Sequence, residues 1–492
     1  MSAAPATPSS PRPSAWWLVL PALLVPCLYL PTLATRFDFA DDGALVYPRP
    51  SHGLAQRARI VWNDTVADYR SKGPFRPLTW AHWDAAAWLL GPNDFARRLT
   101  RLAWSMLAAG ALVWLLAELR MRPIAIALTT ALAMWNPYRG EIWLGLGLTE
   151  AFAMPYALVG LVCATRAARA ARPLGWDVGG VLCLLAALSI KNTFAALVPA
   201  LLFLRLAAGG LPLREGWRRH RLACAGYLAA LALPISHFVL LKLHPQQEHY
   251  ATGFTLTQLP RMIRAVGGAI SIEFMAPGLA LALLALRLGK ATQHLREYRV
   301  AVGAALLLLA CGVGIYLPID GVSGRYTMPA VWGADLGLAV LFSALAAVPA
   351  RFWKGLAFAA LGCGLVGVAI ANVGRQEKVA ARNALLWQAL EYLERRAPRG
   401  STVAWVATPE VGVATPELAM SEGYHFRAHL KSRGHGDIEV SLRDRRDGVE
   451  LPALVLSGTP IDPAGGYRLA HEFRIDYWAG RKCFRCFLYE RR

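Results

Sequence analysis

Charge is scarce in this chain. Asp, Glu, Lys and Arg together make up 17% of its 492 residues, against about 25% in an average soluble domain. Hydrophobic residues reach 55%. That balance excludes a disordered chain and argues against an ordinary cytosolic enzyme. No Walker A sequence and no His-Glu-x-x-His is present, which removes the commonest nucleotide and zinc-protease signatures. There is no internal repeat, and no low-complexity segment apart from a Pro/Ser/Ala-rich start at 2–14. Cysteine supplies no disulfide framework either. Of eight, Cys27, Cys163, Cys183, Cys224, Cys311 and Cys363 lie in apolar runs, where Cys behaves as a small hydrophobe.

What is abundant is arginine at the borders of apolar runs. A formal charge of +20 would suit nucleic acid if the cations lay on a soluble face; here they flank stretches long enough to cross a bilayer, so no nucleic-acid partner is expected. A span needs about 20 mostly apolar residues. Eleven candidates are read at 16–35, 100–119, 123–138, 146–165, 176–191, 193–208, 222–243, 266–287, 300–318, 328–349 and 352–373. Every second short loop is arginine-rich: Arg120 and Arg122; Arg166, Arg169 and Arg172; Arg205, Arg214, Arg218, Arg219 and Arg221; Arg287, Lys290, Arg296 and Arg299; Arg351 and Lys354. By the positive-inside rule these loops and the N-terminus are cytoplasmic.

The expected fold is therefore an all-α polytopic membrane protein with a small C-terminal α+β domain. Residues 1–15 form a disordered cytoplasmic N-terminus and 16–373 the transmembrane domain, with 36–99 as a long first outer loop. Residues 374–492 form a soluble domain on the outer, periplasmic side. In the first loop, Phe75 to Leu90 suits an amphipathic helix along the membrane interface. The tail opens with a helix-like segment, Gln376 to Arg396. Strand-like runs follow at Thr402–Ala407, Ile438–Leu442, Ala453–Ser457 and Cys486–Tyr489. For Cys483-Phe484-Arg485-Cys486, a structural disulfide in an oxidising outer compartment outranks zinc, which needs two further ligands.

Sidedness collects the polar residues at span ends. Asp41 and Asp42 follow the first span on the outer face, Asn136, Arg139 and Glu141 end the third, and Lys191 ends the fifth. Glu248 and His249 lie in the loop after the seventh, and Arg325 precedes the tenth. Ionisable groups at membrane depth mark functional cavities. An Asp pair is often only a turn or cap. At a membrane surface it also suits general-base work on an acceptor hydroxyl, with Glu141 as a second carboxylate. Lys191 reads ordinarily as a snorkelling span end. Arg325 lies on the wrong side for an orienting charge, and its guanidinium suits a phosphate. His237 reads as a packed polar residue.

At these residues the chain resembles the GT-C superfamily of membrane glycosyltransferases over about 36–335, and within it the protein O-mannosyltransferase-like branch that includes TPR-bearing transmembrane mannosyltransferases. Phe39-Ala40-Asp41-Asp42 resembles the acidic motif opening the family's first outer loop. Phe75-Arg76-Pro77-Leu78-Thr79 resembles its Arg-Pro-Leu segment, followed by Gly91-Pro92-Asn93. Asn136-Pro137-Tyr138-Arg139-Gly140-Glu141 resembles its His-Pro-x-x-x-Glu, with Asn in place of His. Ser189-Ile190-Lys191-Asn192 resembles its Lys-Glu pair, with Asn in place of Glu, and Arg325-Tyr326 its late Arg-Tyr. The tail carries no TPR repeat.

The resemblance implies a sugar donor on a polyprenyl phosphate. It implies Asp42 or Asp41 as the base, and Arg325, with Lys191, as holder of the lipid phosphate. Tyr326, Arg76, Arg139 and His249 complete the expected substrate-binding set. The expected function is inverting transfer to the hydroxyl of a glycan, lipid or protein acceptor at a bacterial inner membrane, contributing to cell-envelope glycan. A divalent cation is left open. The competing reading is a transporter or flippase of lipid-linked sugars, for which paired repeats and spans broken near the midplane are the expected signs. Another is a structural membrane protein whose outer tail binds a partner.

Overall fold

The computed structural model describes residues 15–36, 53–70, 74–91, 93–243, 256, 259–289, 296–317, 327–407, 426–431, 433–444, 452–457, 460, 466–477 and 482–492. Asp41, Asp42, Glu248, His249, Arg325 and Tyr326 lie outside the described residues.

All eleven apolar runs fall on helical segments. The first is α1 (Ala15–Leu24), continued as a 3-10 helix (Val25–Ala34) that contains Pro26 and Pro31. Proline lacks the N–H that an α-helix needs. In the first outer loop come α2 (Leu54–Arg70) and α3 (Pro77–Leu90). There follow α4 (Asp94–Glu118), α5 (Pro123–Trp135), α6 (Pro137–Leu144), α7 (Glu150–Ala167) and α8 (Leu174–Leu188). A second 3-10 helix (Asn192–Leu197) leads into α9 (Val198–Ala207). Beyond it lie α10 (Leu213–Ala229), α11 (Ala232–Leu243), α12 (Leu259–Ala269), α13 (Ile272–Leu288), α14 (Arg299–Gly314), α15 (Met328–Ala347) and α16 (Arg351–Arg396).

The count of eleven full spans is corrected. Among the described residues three helices are long and apolar enough to cross a membrane: α4, α15 and α16. The pair α12–α13, bent by 79°, makes a fourth if taken together. Several of the other runs are apolar but short. At 1.5 Å per residue, the 13 residues of α5 rise about 20 Å, less than the roughly 30 Å hydrocarbon layer. The run 222–243 is split between α10 and α11.

Small residues bring the helices together, as expected where lipid offers apolar side chains no advantage in leaving it. A Cβ at Gly333 would lie 2.5 Å from the Ala305 carbonyl oxygen, locking α15 against α14. One at Gly278 would lie 2.8 Å from Leu361 N, and one at Gly364 2.6 Å from Phe274 O, where α13 meets α16. The Gly-x-Gly-x-x-Gly spacing at 362–367 lies in mid-helix and not in a loop after a strand, and of its three glycines Gly364 and Gly367 make the close contacts, both with Phe274. Gly333→Leu is expected to cost roughly 1–3 kcal/mol by overpacking. Thermal unfolding of the detergent-purified protein measures this, and an unchanged midpoint would refute the close α14–α15 contact.

The last apolar run does not end near 373. It continues without a break as the 46-residue α16, about 69 Å long, whose last turns carry the tail. There Leu385, Trp387, Leu390 and Leu393 pack on one face of a five-stranded sheet, against Val403, Trp405, Leu456, Phe473 and Leu488. The strands are β1 (Thr402–Ala407), β2 (Glu439–Asp444), β3 (Leu454–Ser457), β4 (Tyr467–Tyr477) and β5 (Lys482–Arg491), in the order β2-β1-β3-β5-β4. β1 runs parallel to β2 and β3; β5 runs antiparallel to β3 and β4. The expected disulfide is corrected here. Cys483 and Cys486 are both free and lie along β5, one exposed and one buried. Three residues of extended strand separate their Cα atoms by about 10 Å, beyond the roughly 7 Å a disulfide can bridge.

Candidate functional site

The site is assembled from loop ends at one end of the helices. Asn93 caps α4, its side chain accepting from Ala96 N at 3.0 Å. The first turns of α4 then present three nearly buried arginines, Arg97, Arg98 and Arg101. Each donates to main-chain carbonyls. Arg97 Nε reaches Gly91 O at 2.7 Å. Arg98 Nη2 reaches Arg36 O at 2.7 Å, and its Nη1 bonds Leu144 O. Arg101 Nη1 reaches Leu148 O at 3.0 Å, its Nη2 bonds Leu146 O, and its guanidinium lies 4.7 Å from the centre of the Phe152 ring. Non-helical carbonyls between α6 and α7 need such donors when buried. These arginines were missed in the sequence; the available signal was their clustering at the head of an apolar helix.

The loop they hold delivers Glu150 to the start of α7, where a carboxylate is favoured by the helix dipole. Lys191, between α8 and the second 3-10 helix, places its Nζ 2.8 Å from Glu150 Oε1, with the two side chains only 17% and 4% exposed. The residue after Lys191 is Asn192, so the neighbouring carboxylate comes from Glu150 through space rather than along the chain. Asn192 Nδ2 lies 3.2 Å from His237 Nδ1. Thr79 Oγ1 donates to Ile190 O at 3.1 Å, docking α3 beside this pair.

On α3, His82 Nδ1 lies 2.7 Å from Leu78 O, and its ring stands 5.0 Å from Phe152 and 5.5 Å from Trp104. Burial pushes the imidazole's pKa below its ordinary value, partly offset by the Leu78 carbonyl. With the folded value depressed, the unfolded chain binds the extra proton first. Stability is therefore fully present above about pH 6.5 and falls as pH drops toward the folded pKa. Thermal midpoints between pH 7.5 and 5.5 should drop more for the wild type than for His82→Gln. Equal drops would refute this.

The expected residues divide. Arg139 is enclosed: its Nη1 and Nη2 meet both oxygens of Asp335 on α15 at 2.7 and 2.8 Å, and its Nε donates to Ala269 O at 2.6 Å. Asn136 caps α6, accepting from Tyr138 N at 2.8 Å, and its Nδ2 lies 2.6 Å from Ser271 Oγ. Together they hold the bend between α12 and α13, where Ser271 takes a left-handed φ of 51°. Glu141 pairs with Arg375 of α16 at 3.0 Å, both about a third exposed. Arg76 pairs with Asp68 at 3.1 Å across the α2–α3 hairpin. Among the described residues no group of three His, Cys, Asp or Glu side chains is arranged to hold a metal.

These contacts meet at one end. Phe194, three residues after Lys191, lies tilted beside Trp332 on α15 with ring centres 5.6 Å apart, and Thr327 is the N-cap of that helix. Arg36, five residues before Asp41 in the sequence, has its carbonyl oxygen held by Arg98. The fold and site define a helical protein with membrane-length helices and its paired charges gathered at their loop ends.

No family signature and no curated protein sequence matches the chain. Among solved structures it is similar to that of ArnT from Cupriavidus metallidurans bound to undecaprenyl phosphate. The identity is 13% over 97% of this chain and 98% of that one, and the TM-score is 0.48. It is also similar to the arabinofuranosyltransferase AftD from Mycobacteria, at 14% identity over 98% of this chain but 42% of that one, with a TM-score of 0.49. Likeness at this level transfers no activity and no residue role.

Proposed function

We propose that the chain is a multi-pass membrane glycosyltransferase of the GT-C type. In this reading it moves a sugar from a polyprenyl-phosphate donor to an acceptor hydroxyl on the outer face of a bacterial inner membrane. Asp42 or Asp41 removes the acceptor proton, and the acceptor oxygen attacks the anomeric carbon opposite the phosphate. The carbon–oxygen bond to the lipid phosphate breaks, the phosphate leaving with the electron pair and the anomeric configuration inverting. Arg325 and Lys191 stabilise the departing phosphate, the term that carries much of the rate, with Tyr326, Arg76 and His249 lining the substrate. Glu150 fixes Lys191, Glu141 is the second carboxylate, and Arg139 holds the helix bend beneath the site.

One observation carries this reading. Lys191 pairs with Glu150 at 2.8 Å, Phe194 just after Lys191 packs beside Trp332 of α15, the helix that follows Arg325 in the sequence, and Arg36, which precedes the acidic pair in the sequence, is held by Arg98 at the head of α4. Asp41 and Asp42 are five and six residues from Arg36, within a covalent reach of about 20 Å.

The test is a reconstituted assay with a radiolabelled polyprenyl-phosphate sugar, following polyprenyl phosphate release and label transfer. Loss of a surface glycan in a deletion strain identifies the acceptor. Arg325→Ala should raise the donor KM roughly 10- to 100-fold, the value of a charge-assisted hydrogen bond. Unchanged dependence on donor concentration would remove the phosphate role.

The bend at α12–α13 is an observation that favours the transporter reading, since a broken span is one of its expected signs. Donor that crosses the bilayer without being cleaved would establish that reading instead.

A further inference from the structure

We propose that the first half of α10, from Leu213 to Arg221, is a binding surface for anionic phospholipid headgroups at the membrane face opposite the candidate site. The inference needs only that the helices cross a bilayer and stands apart from the sugar-transfer reading.

Residues 192–207 run helically away from Lys191, so α10 begins at the far end. Its sequence, Leu-Arg-Glu-Gly-Trp-Arg-Arg-His-Arg, sets four arginines against one glutamate. Arg214, Arg218, Arg219 and Arg221 are all exposed, and none has an ion-pair partner among the described residues. Helical spacing puts Arg214, Trp217 and Arg218 on one face. Gly216 and His220 lie on the other, against α9: a Cβ on Gly216 would sit 3.2 Å from Leu206 O. Leu213 and Trp217 are 51% and 45% exposed despite their apolar bulk. Free cations beside an exposed Trp and Leu form the composition that lies in a headgroup layer, aromatic ring at the acyl boundary and guanidiniums on phosphates.

A second feature holds this arm at a fixed angle. His220 is non-helical, with φ −119° and ψ 22°, so the turns carrying Arg214, Arg218 and Arg219 break away from the rest of α10, with Arg221 just past the break. The break is clamped by Arg205 of α9, 1% exposed. Its Nε and Nη2 meet Asp177 at 2.6 and 3.0 Å, and Nη2 also lies 2.9 Å from His220 Nδ1. The exposed arginines are thus presented by a buried support and are not a loose surface run.

The full chain is placed in mixed phosphatidylcholine/phosphatidylglycerol vesicles with brominated acyl chains on one lipid or the other. Quenching of Trp217 is read as the difference from Trp217→Phe. Brominated phosphatidylglycerol should quench at least about threefold more than brominated phosphatidylcholine at low salt, since each surface cation adds up to about fivefold. The preference should fade at high salt. It should vanish in R214Q/R218Q/R219Q/R221Q and persist in the four-lysine counterpart, which keeps the charge and reports on folding. Equal quenching by both lipids, no quenching by either, or a preference surviving in the glutamine variant would overturn the proposal.

Discussion

Membranes carrying Asp42→Asn or Asp41→Asn are expected to express the protein normally, and at least one of the two should lose sugar transfer by roughly 10²–10⁴-fold, the usual worth of a positioned general base. Asparagine keeps the size and the hydrogen-bonding oxygen of aspartate but cannot take a proton, so the substitution isolates the step in which the acceptor hydroxyl is deprotonated. The measurement is transfer of labelled sugar at saturating donor, with donor KM as the companion readout. A general base alters turnover and leaves donor affinity largely intact. A residue that merely holds the donor does the opposite, as expected for Arg325. Full activity in both aspartate variants would remove the mechanism, whatever the other charges do.

The largest stability effect is expected at the Arg139–Asp335 pair. Both side chains are enclosed, at 2% and 0% exposure, and the contact is two-pronged at 2.7 and 2.8 Å. Asp335→Ala leaves a buried guanidinium without its counter-charge, which costs about 3–5 kcal/mol. The double variant R139M/D335L removes both charges together and should recover most of that loss, because an apolar pair of similar volume is near neutral or better in such a site. Denaturation of the purified protein in detergent compares the three. If Asp335→Ala unfolds like the wild type, the pair does not hold α6, α12 and α15 together.

Much of the helical architecture was legible because apolar runs bounded by arginine leave little choice. Lengths were not, since a hydropathy run does not reveal where Pro26 and Pro31 convert a helix to a 3-10 turn, nor where Ser271 breaks one. β1 was legible to the residue, being a short apolar run between turns. β4 was missed because Tyr467–Tyr477 lies at the sheet edge with a bulge between Leu469 and His471 and few buried positions, so alternation is weak. α2 was missed because its sequence is polar; it is held from outside by Asp84 of α3, whose carboxylate accepts from Arg57 Nε of α2 at 3.0 Å. Lys191 was singled out as a polar residue closing an apolar run, but Glu150, 41 residues away along the chain, became its partner only through folding. Arg139 shows the converse. A cation at a span end reads as ligand-binding, yet Asp335, 196 residues on, claims it.

The unbroken α16 has a consequence for how the tail sits. Between Gly374 and Arg396 it contains neither glycine nor proline, and both Leu146 and Trp83 are gathered into the core it shares with the sheet. The sheet therefore has no swivel of its own: its bearing is a matter of helical phase. Each residue gained or lost in that stretch would turn it by about 100° and advance it by about 1.5 Å, so in this stretch chain length works as an angular setting.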